Sequence, residues 1–187
     1  FPTRRSSDLT NVYPSSFMLI AAMNPCSCGY YGQQRCHCTD YEVLKYRQKI
    51  SGPMLDRIDI QKYVLPVDFM KLSDNTKGIS SSELRQKVEF ARNIQRERYK
   101  NIEDINSNSE MTPALIKEFC VLEDESKKLL QMAFDRYKYS ARTFHKFLKV
   151  ARTFADMDGS KNLSKGHIAK ALMCRDLEKG RVNMVVI

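Results

Sequence analysis

The stretch "AAMNPCSCGYYGQQRCHC", residues 21–38, carries four cysteines in two C-x-C pairs separated by seven residues. Cys26, Cys28, Cys36 and Cys38 together can offer four thiolates, the tetrahedral sulfur set that suits a structural Zn²⁺. One-residue spacers are tighter than the usual two, so the spacing suggests a shared site without deciding it. Reduced, packed thiols and a redox pair are the other two readings. Four thiolates leave no open position for water, which argues against catalytic zinc. Gly29 and Gly32 would let the loop fold around a metal, and His37 offers a substitute ligand. Cys120 and Cys174 fall on apolar helical faces and read as core. His145 and His167 read as helix residues with local partners.

Three further residues stand at positions where polar chemistry needs explaining. Asn24 ends a short apolar run, and in open α/β sheets ligands bind beyond the carboxyl ends of strands; an Asn-Pro that merely turns the chain is the alternative. Arg57 in "GPMLDRID" lies between a Gly-Pro break and a second apolar run, which puts it at a domain edge, free or paired with Asp56 or Asp59. Arg142 opens an amphipathic segment roughly opposite its phenylalanines. With Lys146 and Lys149 it forms a basic stripe, and such stripes are commonly solvated faces. Arg85, Lys87, Arg92, Arg96, Arg98 and Lys100 crowd another helical segment, where phosphate contact competes with plain solvation.

The elements that must position these residues follow from periodicity. "FMLIAAM" (17–23), bounded by Pro14 and Asn24-Pro25, predicts a strand buried on both faces, as in a parallel sheet. "YEVLKYRQKI" (41–50) predicts a helix stopped by Gly52-Pro53, and "IDIQKYVLPV" (58–67) a second strand. A polar linker at 73–82 separates these from a helical region. The helix over 82–100 places Leu84, Val88, Ala91, Ile94 and Tyr99 on one face. Thr112 caps the next helix with Pro113 at its first position. Residues 124–138 form an amphipathic helix. The segment 140–157 is capped by Ser140, lined by Phe144, Phe147, Leu148, Ala151, Phe154 and Ala155, and ended by Gly159. Ser164 caps the last helix.

With 187 residues, 42% hydrophobic and 28% charged, the chain suits one or two domains with a real core. No run approaches the roughly 18 apolar residues of a membrane span, and no signal-peptide pattern opens the sequence. Six cysteines without a secretory segment point to reduced thiols or metal ligands rather than disulfides. A net charge of +9 favours a polyanionic neighbour such as DNA, RNA or nucleotide phosphate. The opening "FPTRRSSDL" (1–9) resembles a translated sequencing adapter, and the first Met, Met18, lies inside an apolar run. The expectation is a scar at 1–9 followed by a fragment of a longer protein.

At "NPCSCGYYG", "YRQKISGPMLDRIDI" and "SARTFHKFLKVARTFADMDGS...HIAKAL" the sequence resembles the magnesium-chelatase-like AAA+ ATPases of the ComM/YifB type, over essentially residues 11–176. The departure is Ser27, where that family usually has Pro. The resemblance implies an α/β plus all-α fold: 10–72 as the C-terminal part of an AAA+ core, 80–176 as a helical lid, 177–187 as a tail. It implies a bacterial cytoplasmic ATPase in a hexameric ring, using ATP and Mg²⁺, with DNA branch migration during natural transformation as the activity of ComM members. Residue by residue it implies Asn24 as sensor 1, orienting the attacking water, and Arg57 as an arginine finger acting in trans on the neighbouring subunit's nucleotide. Arg142 becomes sensor 2, reading nucleotide in its own subunit. No G-x-x-x-x-G-K-[ST] phosphate loop and no Asp-Glu strand for Mg²⁺ occur in the sequence, so the chain alone is not expected to hydrolyse ATP. Two other readings stay open: a stand-alone zinc-loop nucleic-acid-binding module, and a motor subunit of a metal chelatase acting on a tetrapyrrole.

Overall fold

A computed structural model describes residues 17–64 and 78–175. It divides into two compact units, one ending at Ser51 and one beginning at Gly52. The expected scar at 1–9 and tail at 177–187 lie outside the described residues.

In the first unit, residues 17–23 form no strand. Phe17, Met18, Leu19 and Ile20 are exposed, Met18 at 84% and Ile20 at 83%. A strand is stable only where neighbouring backbones take its N–H and C=O groups and packed layers cover its faces. No named strand occurs among the described residues to do either. The expected buried strand is therefore corrected to an exposed segment without regular structure, and the described residues show no sheet for the α/β half of the expected fold. The cysteine loop leads into helix α1, Asp40–Arg47, which begins at a reciprocal capping box: Thr39 Oγ1 accepts from the Glu42 amide at 3.3 Å, and Glu42 Oε2 accepts from the Thr39 amide at 2.8 Å. The Thr39 amide and hydroxyl hold the Glu42 carboxyl below its usual range.

The second unit is helical. Gly52-Pro53, expected to stop the preceding helix, instead opens a short one, α2 (Gly52–Leu55), because proline's fixed φ and missing N–H suit a first turn. Beyond α2 the expected strand over 58–67 is reduced to one parallel bridge between Gln61 and Arg175; residues 65–67 lie outside the described part. The helices α3 (Ser81–Tyr99), α4 (Pro113–Phe119), α5 (Asp124–Tyr137), α6 (Ala141–Met157) and α7 (Lys165–Met173) follow, with a 3-10 turn at Asn108–Glu110. Thr112 and Ser140 cap α4 and α6, accepting from Leu115 and Thr143 amides, and Gly159 follows α6 with φ +65°. At α7 the cap is completed by His167, whose Nδ1 accepts from the Ser164 amide at 3.1 Å.

Helix α6 is the centre of this unit, packing on α3, α4, α7 and the 3-10 turn. Phe147, Leu148, Ala151 and Ala155 meet Tyr99, Met111, Ile116, Leu130, Leu163 and Ile168 in one apolar core. The stripe expected on α3 is only half used: Ala91 and Tyr99 are buried, whereas Leu84 and Val88 are half exposed. Beside the core lies a buried ionic cluster. Asp156, fully buried, accepts from Arg98 and from Arg152 Nε at 3.0 Å, and Asn108 Nδ2 donates to it at 2.8 Å. Among the described residues no helix is long and apolar enough to cross a membrane.

Candidate functional site

The segment around Arg57 is fastened to the helical unit by almost every polar group except the Arg57 side-chain charge. Arg175, 1% exposed, donates from Nη1 to the Ile58 carbonyl at 2.8 Å and from Nη2 to the Leu55 carbonyl at 3.3 Å. Gln61 Nε2 donates to the same Leu55 carbonyl at 2.9 Å. Lys146 on α6 donates to the Arg57 carbonyl at 2.6 Å and pairs with Asp59 at 2.7 Å. Asp56 accepts from Ser140 Oγ and Thr143 Oγ1, each at 3.4 Å, and pairs with Arg175 at 3.9 Å.

Both carboxylates flanking Arg57 are thus engaged elsewhere, and the ion pair offered as the alternative reading does not form. The exposed guanidinium of Arg57 donates to the Pro53 carbonyl at 2.8 Å, a neutral partner that leaves its charge available for an anion. Arg142 is the second residue of α6, between Ser140 and Thr143, and is exposed with no hydrogen bond or ion pair among the described residues. The Asp56 contacts therefore join the Arg57 segment to the helix start that carries Arg142.

The basic stripe on α6 is not a uniformly solvated face. Lys146 is committed to the Arg57 segment, and Lys149 donates to the Ser109 carbonyl at 2.7 Å, with burial drawing its pKa down. On α3, Arg92 donates to Gln95, Arg96 to Asn93, Lys100 pairs with Glu97, and Arg98 is spent on Asp156. Sequence reasoning missed Arg175, Gln61 and the role of Lys146. A buried arginine just past the final helix has no periodicity to betray it.

In the first unit the four loop sulfurs converge. Cys26, Cys28, Cys36 and Cys38 all lie within 4.8 Å of one another, with Cys26–Cys28 at 3.4 Å, Cys28–Cys36 at 3.6 Å and Cys26–Cys36 at 4.0 Å. All are free thiols. Gly29 and Gly32 both take φ +86°, the left-handed conformation that favours glycine. His37, the suggested substitute ligand, is exposed and outside the cluster. Backbone hydrogen bonds from Tyr30 and His37 favour the Cys28 thiolate and lower its pKa to about 6. At Cys36 a backbone hydrogen bond from Cys38 acts the same way, but desolvation and the Cys28 and Cys26 sulfurs outweigh it and push the thiol up to about 11. Cys120 differs: burial pushes it up to about 11, among core side chains.

Asn24 stands at the entrance of this loop, exposed, with its side chain against Gly29, where an added Cβ would lie 3.8 Å from Nδ2. Pro25 next to it is held by Arg47, whose Nε donates to the Pro25 carbonyl at 3.1 Å. Asn24 and the cysteines thus belong to the first unit, Arg57 and Arg142 to the second.

The chain is similar to competence protein ComM of Haemophilus influenzae, 34% identical over 89% of this chain and 33% of that protein. It is also similar to the uncharacterized protein YifB of Escherichia coli, 33% identical over 89% of this chain and 32% of that protein. A Mycobacterium tuberculosis protein described as uncharacterized is 32% identical over 87% of this chain and 32% of its own length. The chain spans about a third of the length of these relatives. Residues 3–72 match the family described as magnesium chelatase, subunit ChlI, and residues 78–175 match its C-terminal family. By these two matches, which between them take in both units, the chain belongs to the magnesium chelatase ChlI family, in its ComM/YifB-type branch.

Proposed function

We propose that this chain is the sensor-and-finger portion of an AAA+ ATPase of the ComM/YifB type, working in a hexameric ring and acting on DNA. The observation that carries the reading is Arg57: its segment is pinned by Arg175, Lys146 and Gln61, its acidic neighbours are occupied, and its charge is not neutralised. Such an arginine is pre-positioned to stabilise charge developing on a transferring phosphoryl group in an adjacent subunit. Asn24 orients the attacking water, and Arg142 contacts the nucleotide of its own subunit. Mg²⁺, the metal associated with this family, would supply charge neutralisation at the phosphates; none of the residues named here is proposed to hold it. The DNA assignment draws on the name of the ComM relative as a competence protein, and on the net charge of +9. In this family role the protein is cytoplasmic.

The test is Arg57→Ala in the protein joined to a phosphate loop and Mg²⁺-binding strand. Turnover of ATP should fall about 10³-fold or more, the range seen when an arginine finger is lost, while nucleotide affinity stays close to that of the parent. Equal loss of affinity and turnover would place Arg57 in its own subunit's binding site and refute the trans assignment.

A further inference from the structure

A zinc ion with Zn–S bonds of about 2.3 Å requires sulfurs about 3.8 Å apart along the edges of its tetrahedron. The separations of 3.4, 3.6 and 4.0 Å between Cys26, Cys28 and Cys36 bracket that edge, and Cys38 lies within 4.8 Å of all three. They are far longer than the roughly 2.05 Å of a disulfide. A loop built only to pack thiols would bury them among apolar side chains, yet only Cys26 is buried and the other three are partly accessible. A polar group lies directly beside them: Ser27 Oγ is 3.3 Å from the Cys38 sulfur. Donors of this kind form the outer shell that steadies metal thiolates. The turns closing the loop, Gly29 N to the Cys26 carbonyl at 3.1 Å and Cys36 N to the Gln33 carbonyl at 3.0 Å, leave each C-x-C pair facing the other.

We propose that Cys26, Cys28, Cys36 and Cys38 hold one zinc ion in a closed tetrathiolate site, and that this site fixes the turn carrying Asn24. Four soft sulfurs select zinc over Mg²⁺ or Ca²⁺, which take oxygen ligands. With every position filled by sulfur the ion has no place for water or substrate, so its work is structural. Asn24 is two residues from the first ligand and rests on Gly29, one residue past the second, while Arg47 anchors the intervening Pro25 to α1. The metal would hold that corner from one side and the helix from the other. The metal site stands on the sulfur geometry alone; the purpose of fixing Asn24 rests on the proposed ATPase reading.

The experiment uses the whole chain, purified with reductant and zinc and then exchanged into metal-free buffer. One equivalent of zinc per chain is expected, and cobalt in its place should give the absorption bands of a tetrahedral thiolate. Cys28→Ser and Cys36→Ser should each lose the equivalent, while Cys120→Ser and Cys174→Ser should keep it. In ¹⁵N-labelled chain the Asn24 side-chain amide resonance should move between the metal-free and zinc forms. Well below one equivalent, iron in place of zinc, or binding untouched by Cys28→Ser would overturn the site. Stoichiometric zinc with an unmoved Asn24 resonance would overturn the positioning role and leave the ATPase reading to be judged by Arg57→Ala.

Discussion

At Asp156 a single carboxylate answers two arginines. Burial alone would raise its pKa, but hydrogen bonds from Arg98 and Asn108 and the charges of Arg98 and Arg152 outweigh that and hold it below the usual range. A carboxyl lowered in the folded state contributes stability that is fully present above its unfolded pKa, about 3.9, and is lost as pH falls through the lower folded value. The helical unit should therefore hold its denaturant midpoint near neutrality and lose it in acid below about pH 4. Asp156→Asn should remove that part of the acid response. It should also cost about 3 kcal/mol at neutral pH, since breaking a buried pair strands the partner charges. Urea titrations of both proteins across the acid range measure both effects; an unchanged acid slope in the variant would deny Asp156 the role.

Among the helices, α5 ends with Lys138 at φ 51° and ψ 44°, a left-handed cap made by a residue with a Cβ. Glycine adopts that conformation without the steric cost, so Lys138→Gly should stabilise the helical unit by about 1 kcal/mol. The gain reads directly as a higher urea midpoint at unchanged slope, and a loss would mean that the exposed Lys138 stem packs on something that matters more. The same local chemistry explains what the sequence revealed. Caps at Thr112, Ser140 and Ser164 and the Gly159 stop are decided within a turn of the residue concerned, so α4, α6 and α7 are legible from spacing. The apolar run at 17–23 and the segment at 58–67 are not, because a strand is decided by neighbours remote in sequence. Arg98 and Asp156, 58 residues apart, show the same limit: on α3 the arginine reads as one more basic surface residue. Of the candidate site, Arg57, Arg142 and the converging cysteines came from motif and spacing. The clamp that holds Arg57 did not, since Arg175 meets Leu55 across 120 residues.

At the scale of the whole molecule, the longest run of bare apolar side chains among the described residues is Phe17–Ile20, where four successive large side chains stand more than half exposed. Surfaces of this kind seek another protein layer, and relatives three times as long have the residues to supply one. Met18→Ser with Ile20→Ser should lower binding of an apolar dye and raise the concentration at which the chain stays monodisperse, without altering its far-ultraviolet dichroism. Unchanged dye binding would locate the sticky surface elsewhere, for example at Leu84, Val88 and Phe90 on α3.

The bonds from Arg175 to the Leu55 and Ile58 carbonyls also set an order of events on the ribosome. Leu55 is added to the growing chain 120 residues before Arg175, the residue that clamps it. During translation the Arg57 segment must wait, undocked, until the α7 end emerges, so its held geometry forms only after the helical unit is finished. The clamp makes the fixed position of Arg57 a late event: only a helical unit synthesised through Arg175 can hold it.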